Sequence, residues 1–113
     1  MNSFDKVYLV TSLIPKGKIL TYKKVAELAG VKNSRVVGFA LHVNKDISKT
    51  PCHRVVGIKG DLTGYARGGV KVKKEILEKE GVIFLKNGRV NLDKSLFTPS
   101  TKQLEKLEKE LKD

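Results

Sequence analysis

The 113-residue sequence has one cysteine, no tryptophan, few aromatic residues and no long apolar run. A single cysteine cannot form an internal disulfide, nor supply the paired cysteines of a structural zinc or iron–sulfur site. A chain of this length is too short for a two-domain enzyme with its own cofactor fold, and we expect no metal and no cofactor. No stretch approaches the ~20 apolar residues of a membrane span, and the N-terminus lacks the layout of a signal peptide. We therefore expect one intracellular domain, in the cytoplasm and nucleoid or in a nucleus, with no membrane partner.

Acidic residues are scarce in the middle of the chain. Between Lys16 and Lys74, 14 Lys and Arg residues stand against three acids, so this segment alone carries the formal net charge of +11. An excess of one sign confined to one segment is typical of phosphate contact. The alternative is that the basic residues serve solubility.

Apolar residues at helical spacing predict three helices in the first part of the chain, at 3–14, 22–29 and 34–44. The expected N-terminal caps are, in order, Asn2 or Ser3, Thr21, and Asn33 or Ser34. Gly30 is expected to end the second helix in a left-handed conformation. Two short helices around a Gly-containing turn indicate a helix-turn-helix, whose second helix would face nucleic acid.

The second half of the chain begins with a predicted long loop, from Lys45 to Gly69. A helix over 70–79 follows, with a buried stripe of Val72, Ile76 and Leu77. Residues 82–92 predict a β-hairpin around a two-residue Asn87-Gly88 turn.

The fold class predicted from these elements is α+β and mainly helical. We expect a single winged helix-turn-helix-type domain with a small hairpin over residues 1–98. Residues 99–113 are expected to form a C-terminal amphipathic helix, because Ser100 and Gln103 have capping-box spacing and leucines alternate with Lys and Glu.

Pro51-Cys52-His53-Arg54-Val55-Val56, within the long loop, is the most informative segment for chemistry. An adjacent imidazole, a nearby arginine and a basic surround all favour the thiolate of Cys52 over the thiol. Because neighbouring side chains diverge in an extended backbone, proton transfer from Cys52 to His53 would need a bridging water. The alternative is a structural cysteine acting as a small core residue.

The PCHRVV segment, with IPKGKILTYKKVAELAG and SRVVGFALHVN before it, resembles the DNA-binding domain of the O6-alkylguanine-DNA alkyltransferases. The resemblance covers about Phe4 to Leu92, and seven residues separate Asn44 from Cys52 as in that family. It implies DNA repair, in which a reactive cysteine irreversibly accepts the alkyl group of a flipped-out guanine. The implied partner is double-stranded DNA containing O6-alkylguanine, bound by a monomer, with a repair-pathway protein as a further candidate partner.

The resemblance also implies a role for each residue of a catalytic chain. Cys52 is the alkyl acceptor, His53 is the base that works through a water, and Glu80 orients the histidine, as in other nucleophile–base–orienter sites. Tyr22 contacts the backbone at the flipped nucleotide and helps to protonate the departing guanine.

A DNA-binding surface and a base pocket are implied in the same way. Arg35 is the arginine finger that takes the place of the extruded base, Asn44 ties the helix-turn-helix to the active-site loop, and Val55 lends a backbone carbonyl to the base. The residues predicted to bind DNA are Tyr22, Lys23, Lys24, Ser34, Arg35, Gly38, Asn44 and Arg54. Those predicted to line the base pocket are Val55, Tyr65, Ala66 and Arg67.

Two features depart from the alkyltransferase pattern. Ile47-Ser48-Lys49-Thr50 replaces an apolar run, and the spacing after Tyr65 is unusual. The 66–69 run and the 80–92 segment look more like the alkyltransferase-like proteins, single-domain relatives that bind O6-alkylguanine without repairing it and commonly have tryptophan at the position of Cys52.

Three functions are therefore open. The first is stoichiometric alkyl transfer to Cys52, and the second is lesion recognition without transfer, followed by hand-over to another repair pathway. The third is a transcription-type helix-turn-helix module with a structural cysteine.

Overall fold

The computed structural model describes residues 1–65 and 67–112. The elements, in chain order, are α1 (Ser3–Thr11), β1 (Leu20–Thr21), α2 (Tyr22–Ala29), α3 (Ser34–His42), a 3₁₀ turn (Cys52–Arg54), β2 (Val55–Val56), α4 (Gly69–Lys79), α5 (Leu92–Ser95) and α6 (Thr101–Lys112). Within the described residues, no helix has both the length and the apolar composition needed to cross a membrane. The mainly helical fold class is confirmed.

The predicted helix caps are present at the first three helices. The Asn2 side chain accepts a hydrogen bond from the Asp5 amide at 2.8 Å, and the Thr21 hydroxyl accepts one from the Lys24 amide at 3.1 Å. Asn33 rather than Ser34 caps α3. Gly30 ends α2 with a φ of +69°, in the left-handed region that glycine adopts without strain. α3 ends at His42, two residues earlier than expected.

The only regular strand pair of the described residues joins two distant segments. β1 and β2 run parallel, with Leu20 opposite Val55 and Thr21 opposite Val56. The predicted long loop from Lys45 to Gly69 was wrong at its centre, where the 3₁₀ turn and β2 form and Val55 and Val56 are fully buried. Because the strands are parallel, the start of α2 lies beside the end of β2, and the 3₁₀ turn precedes β2 on the same segment. Tyr22 and Cys52 both line one cleft.

The predicted hairpin at 82–92 is present in reduced form. Phe84 and Val90 make a single antiparallel bridge, and the Leu85 amide donates to the Arg89 carbonyl at 2.7 Å. The loop therefore has three residues rather than the expected two, with Gly88 at a φ of +86°. Leu92, expected at the end of the second strand, instead begins α5.

Helices α1, α2 and α3 pack on one another around the main core. Val7, Val10, Val25 and Val37 are completely buried there, and Leu107 of α6 joins the same cluster. A second, smaller cluster lies under α4 and the bridge at Phe84, and includes Leu77 and Val90. The α6 cap has the predicted reciprocal hydrogen bonds between Ser100 and Gln103.

Candidate active site and nucleic-acid interface

The 3₁₀ turn that follows Pro51 presents three consecutive functional side chains. Cys52 is a free thiol with 7% of its surface exposed, and it contributes to the wall of a surface cleft. His53 places its Nε2 atom 3.0 Å from Glu80 Oε1. The turn thus brings together Cys52, His53 and Glu80, although Glu80 lies 27 positions after the histidine in sequence.

Arg54 holds the Glu80 carboxylate in place. Its Nε donates to Oε1 at 2.9 Å and a terminal nitrogen donates to Oε2 at 2.7 Å, which is the two-pronged geometry that favours arginine at carboxylates. The other terminal nitrogen donates to the Ile14 carbonyl at 2.8 Å. Burial raises the pKa of Glu80, but hydrogen bonds from Arg54 and His53 outweigh it and bring that pKa below its usual value. Glu80 is therefore an anion that faces the imidazole.

The imidazole of His53 has a free ring nitrogen. Nδ1 is buried and has no hydrogen-bond partner among the described protein atoms. Burial lowers the pKa of His53, and the opposing attraction of Glu80 does not restore it. The ring is therefore neutral at pH 7. If Nε2 carries the hydrogen and donates it to Glu80, Nδ1 is a proton acceptor.

The cleft next to Cys52 has a volume of about 560 Å³. This is large enough for a purine base, since ligand pockets start at about 300 Å³. Its walls come from α2, α3, the 3₁₀ turn, the loop after β2 and α4. The residues that line it are Tyr22, Lys23, Ser34, Arg35, Gly38, Leu41, His42, Cys52, Gly57, Ile58, Thr63, Gly64, Tyr65 and Lys73.

Seven of the predicted site residues line this cleft together: Tyr22, Lys23, Ser34, Arg35, Gly38, Cys52 and Tyr65. Their position follows from the caps of the two helices. Thr21 begins α2 at the cleft, and Asn33 begins α3 so that Ser34 and Arg35 fall in its first turn. Gly38, one turn later, leaves space on this face of the helix.

Other predicted site residues make contacts within the protein. The buried Asn44 amide donates to the Thr50 carbonyl at 2.9 Å and so ties the end of α3 to the segment before Cys52. Arg67 donates to the Asn44 carbonyl at 2.9 Å. Lys24 pairs with Glu27 at 3.7 Å. Together with Arg54 and the fully buried Val55, these residues do not line the cleft in the described part of the chain. Ala66 lies outside the described residues.

Thr63 was not predicted as a site residue. Its hydroxyl lies 2.7 Å from the Tyr22 hydroxyl, and both residues line the cleft. Burial raises the pKa of Tyr22, so the phenol keeps its proton at neutral pH. The hydrogen bond holds the Tyr22 hydroxyl beside Thr63, and either of the two oxygens can be the donor. Thr63 lies in an irregular loop, and nothing in its sequence environment distinguishes it.

Lys73 was also missed, and it is the most buried charged residue of the site. Only 1% of its surface is exposed, and Nζ donates to the Val55 carbonyl at 2.7 Å. The ammonium also lies 5.7 Å from the centre of the Tyr22 ring. Burial lowers the pKa of Lys73 to about 8, against the opposing attraction of Cys52 and Asp61. The sequence does carry a signal for the burial of Lys73, because it lies one helical turn before Leu77 and therefore on the same face of the helix.

Within residues 1–65 and 67–112, His, Cys, Asp and Glu do not gather in any group of three that could hold a metal ion.

The chain is similar in sequence to proteins of one known family. Residues 2–82 match the family model of the 6-O-methylguanine DNA methyltransferase DNA-binding domain. A methylated-DNA–protein-cysteine methyltransferase of Scheffersomyces stipitis is 46% identical over 74 residues, which is 65% of this chain and 37% of that protein. One from Saccharolobus islandicus is 48% identical over 69 residues, or 61% of this chain and 44% of that protein. The chain thus matches less than half the length of these relatives.

Solved structures give two kinds of neighbour. S. pombe Atl1, in complex with damaged DNA containing O6-carboxymethylguanine, superposes with a TM-score of 0.72 at 30% identity, covering 86% of this chain and 95% of that one. Mycobacterium tuberculosis OGT in complex with DNA superposes with a TM-score of 0.67 at 35% identity, covering 72% of this chain and 50% of that one. On its matched residues and its fold, the chain belongs to the family of the 6-O-methylguanine DNA methyltransferase DNA-binding domain.

Proposed function

We propose that this protein binds duplex DNA containing O6-alkylguanine, turns the modified base into the cleft and transfers the alkyl group once and irreversibly to Cys52. The observation that carries this proposal is the position of Cys52 in the cleft wall, with the His53–Glu80 pair directly behind it. The same turn supplies the nucleophile and the base, and the anchored carboxylate orients the base.

The proposed base step uses the free nitrogen of His53. A buried polar atom without a protein partner is ordinarily satisfied by an ordered water. A water bound to Nδ1 would also reach the thiol of the preceding residue, so the Cys52 proton passes through it to the imidazole. Glu80 stabilises the imidazolium that forms, because its carboxylate accepts the hydrogen bond from Nε2.

The transfer itself is a displacement at the alkyl carbon. The thiolate sulfur forms a bond to that carbon while the carbon–O6 bond breaks, and the electron pair of the broken bond stays on the guanine. The Tyr22 phenol donates a proton to the departing guanine, since its raised pKa keeps it protonated until then. The imidazolium then releases the thiol proton to solvent, and the tyrosinate regains its proton from solvent.

Lys73 supports both ends of this reaction. Its positive charge attracts the Cys52 thiolate, and it stabilises a Tyr22 oxyanion because its ammonium lies near that ring. It also orients the Val55 carbonyl, which retains a second lone pair for an amino group of the guanine. Lys73 thereby links the nucleophile, the proton donor and the base-binding carbonyl.

The DNA would lie across the first turn of α3 and the start of α2. Lys23 and Arg35 line the cleft, and no acidic residue is among its lining side chains. This local positive charge favours contact with DNA phosphates. Arg35 lies on the rim, where it can fill the gap that a flipped nucleotide leaves in the stack. The similarity to Atl1, solved with damaged DNA, and to OGT, solved with DNA, supports DNA as the partner of this chain.

A second candidate function is lesion binding without transfer. It is favoured by the similarity to Atl1, which covers nearly the whole length of both chains, whereas the match to OGT covers half of the latter. Both functions use the same cleft and the same DNA surface, and they differ only in the fate of the alkyl group.

One experiment separates the two. A duplex with a single O6-methylguanine is incubated with excess protein and digested to nucleosides, and the remaining modified nucleoside is quantified; binding to modified and unmodified duplex is measured in parallel. Loss of the lesion with the parent protein, but not with Cys52→Ser, is the expected result. A retained lesion with tighter binding to the modified duplex supports the second function, and equal binding to both duplexes contradicts both.

A further inference from the structure

The exposed face of α3 carries an aromatic residue that the proposed reaction does not use. Val37, Ala40 and Leu41 point into the core. On the opposite side, Arg35 and Phe39 lie one helical turn apart, which places them on one outward strip. Phe39 is 61% exposed. A large apolar ring thus stands beside the side chain that we propose to enter the DNA.

The Phe39 ring is held by its neighbours on α1. Its centre lies 5.6 Å from that of Phe4, and Phe4 in turn meets Tyr8 edge-on at 6.4 Å. The Tyr8 hydroxyl donates to the Ala40 carbonyl at 2.7 Å, which fixes this aromatic row to α3 itself. One side of the ring is therefore supported while the rest projects into solvent.

Arg35 connects this ring to the cleft. Arg35 and Phe39 line a shallow depression of about 420 Å³ together with Phe4, and Arg35 also lines the cleft that holds Cys52. The surrounding charge is positive, since the segment from Lys32 to Lys45 has three basic residues and no acid. An exposed apolar ring beside basic side chains and the proposed arginine finger is suited to contact DNA, because DNA carries negative phosphates and presents apolar edges of its sugars and bases.

We propose that Phe39 is an apolar DNA contact, which packs in the minor groove against the sugar and base step beside the flipped nucleotide. Proteins that bind the minor groove combine arginines with apolar wedges, phenylalanine among them, and so stabilise an opened base step. The inference rests on the proposed function, because it takes α3 as the helix that meets the duplex. Arg35 fills the gap and Phe39 holds the adjacent step open.

The contact has a signature that separates it from the basic residues. An apolar contact releases no counterions, so its loss weakens binding without changing the slope of log affinity against log salt. Loss of a phosphate contact flattens that slope. A structural role for Phe39 would instead lower the thermal stability.

The test uses the full chain with Cys52→Ser, which prevents transfer during equilibrium binding. Fluorescence anisotropy with an O6-methylguanine duplex is measured at several salt concentrations for this parent and for its variants Phe39→Ala and Phe39→Leu. The control is Leu85→Ala, because Leu85 is an apolar residue that is 46% exposed near the bridge at Phe84. We expect Phe39→Ala to weaken binding by about tenfold, the usual scale for truncating an aromatic that stacks on a base. The salt slope and melting temperature should not change, Leu should restore part of the affinity, and Leu85→Ala should bind like the parent.

Equal affinity of the parent and Phe39→Ala, with a clear preference of the parent for the modified duplex, would overturn this inference and leave the proposed function intact. A parent without that preference would contradict the proposed function itself. Sedimentation of the protein without DNA tests whether a second copy of the chain binds at Phe39 instead. A dimer that Phe39→Ala converts to monomer would show that it does, and would also overturn the inference.

Discussion

The Lys73 ammonium donates a 2.7 Å hydrogen bond to the Val55 carbonyl, the group expected to receive the guanine. One buried cation therefore orients the backbone on which base recognition depends. Because the same ammonium approaches the Tyr22 ring and attracts Cys52, a change at Lys73 should affect base binding and chemistry together.

Replacement of Lys73 by methionine keeps an unbranched side chain of similar length but removes the charge. We expect alkyl transfer from free O6-benzylguanine to slow by at least tenfold, since the thiolate, the phenol and the Val55 carbonyl each lose their cationic partner. Lys71→Met, an exposed lysine on the same helix, should have no effect. Equal rates for the two variants would show that Lys73 has only a packing role.

The titration of Lys73 gives an independent stability test. Its folded pKa is about 8 against 10.5 for the ordinary side chain, so between these pH values the unfolded chain binds a proton that the folded chain has released. Unfolding then becomes less favourable as pH rises. Compared with Lys73→Met, the parent protein should gain up to about 3 kcal/mol in unfolding free energy from pH 8 to 10.5, at about 1.4 kcal/mol per pKa unit. Urea denaturation at each pH measures this, and parallel curves for both proteins would refute it.

The pH profile of transfer should report His53. The base must be neutral, and burial lowers the pKa of His53 below its usual value of 6.5. The rate with free O6-benzylguanine should therefore fall on acidification with a midpoint below pH 6.5. His53→Phe should lose about 100-fold or more, as general-base variants do, whereas His42→Gln should leave the midpoint unchanged. If the rate of His53→Phe falls at low pH with the same midpoint as that of the parent protein, His53 is not the base.

Arg35 should matter for duplex DNA and not for the chemical step. Flipping a base costs a few kcal/mol of unstacking, and Arg35 is the residue proposed to fill the gap. Arg35→Ala should slow transfer from duplex O6-methylguanine far more than transfer from free O6-benzylguanine. Arg89→Ala, an exposed arginine in the loop after Phe84, is the matched control. Equal losses of Arg35→Ala on both substrates would assign Arg35 to the pocket or the fold.

The salt dependence of binding tests the charge distribution. If about five phosphates are neutralised, log affinity should fall with log salt at a slope near −4.5, from roughly −0.9 per contact. Lys23→Ala should flatten the slope by up to about one unit, because Lys23 lines the cleft. Lys24, paired with Glu27, should contribute less, and Lys106→Ala on α6 should have no effect. Equal effects of Lys23 and Lys106 would place the DNA-binding face elsewhere.

Local signals predicted much of this fold. The caps at Asn2, Thr21 and Asn33 and the left-handed Gly30 are properties of short segments, so the first three helices could be placed from sequence. The β1–β2 pair could not be placed, because it has two residues per strand and joins segments 35 positions apart. Short strands of this kind show no alternation that would reveal them.

The same distinction holds for the site. Cys52 and His53 were evident from an adjacent pair in a basic segment, and Glu80 came from resemblance alone. Lys73 was missed because lysine in a helix is ordinarily assigned to the solvated face, although here it occupies the position that the buried stripe required. Thr63 was missed because its contact with Tyr22 depends on how an irregular loop folds over the cleft.

Alkyl transfer to Cys52 is tested most directly by the mass of the protein after reaction. The parent protein is mixed with excess duplex containing O6-methylguanine, with no metal and no other methyl donor added. The mass of the intact protein is recorded, and the masses of its peptides are recorded after tryptic digestion. We predict a single added methyl group that stops at one per protein molecule and lies in the peptide from Thr50 to Arg54, which contains Cys52. An unchanged protein mass with saturated binding of the modified duplex, or a methyl group on any other peptide, would contradict alkyl transfer to Cys52.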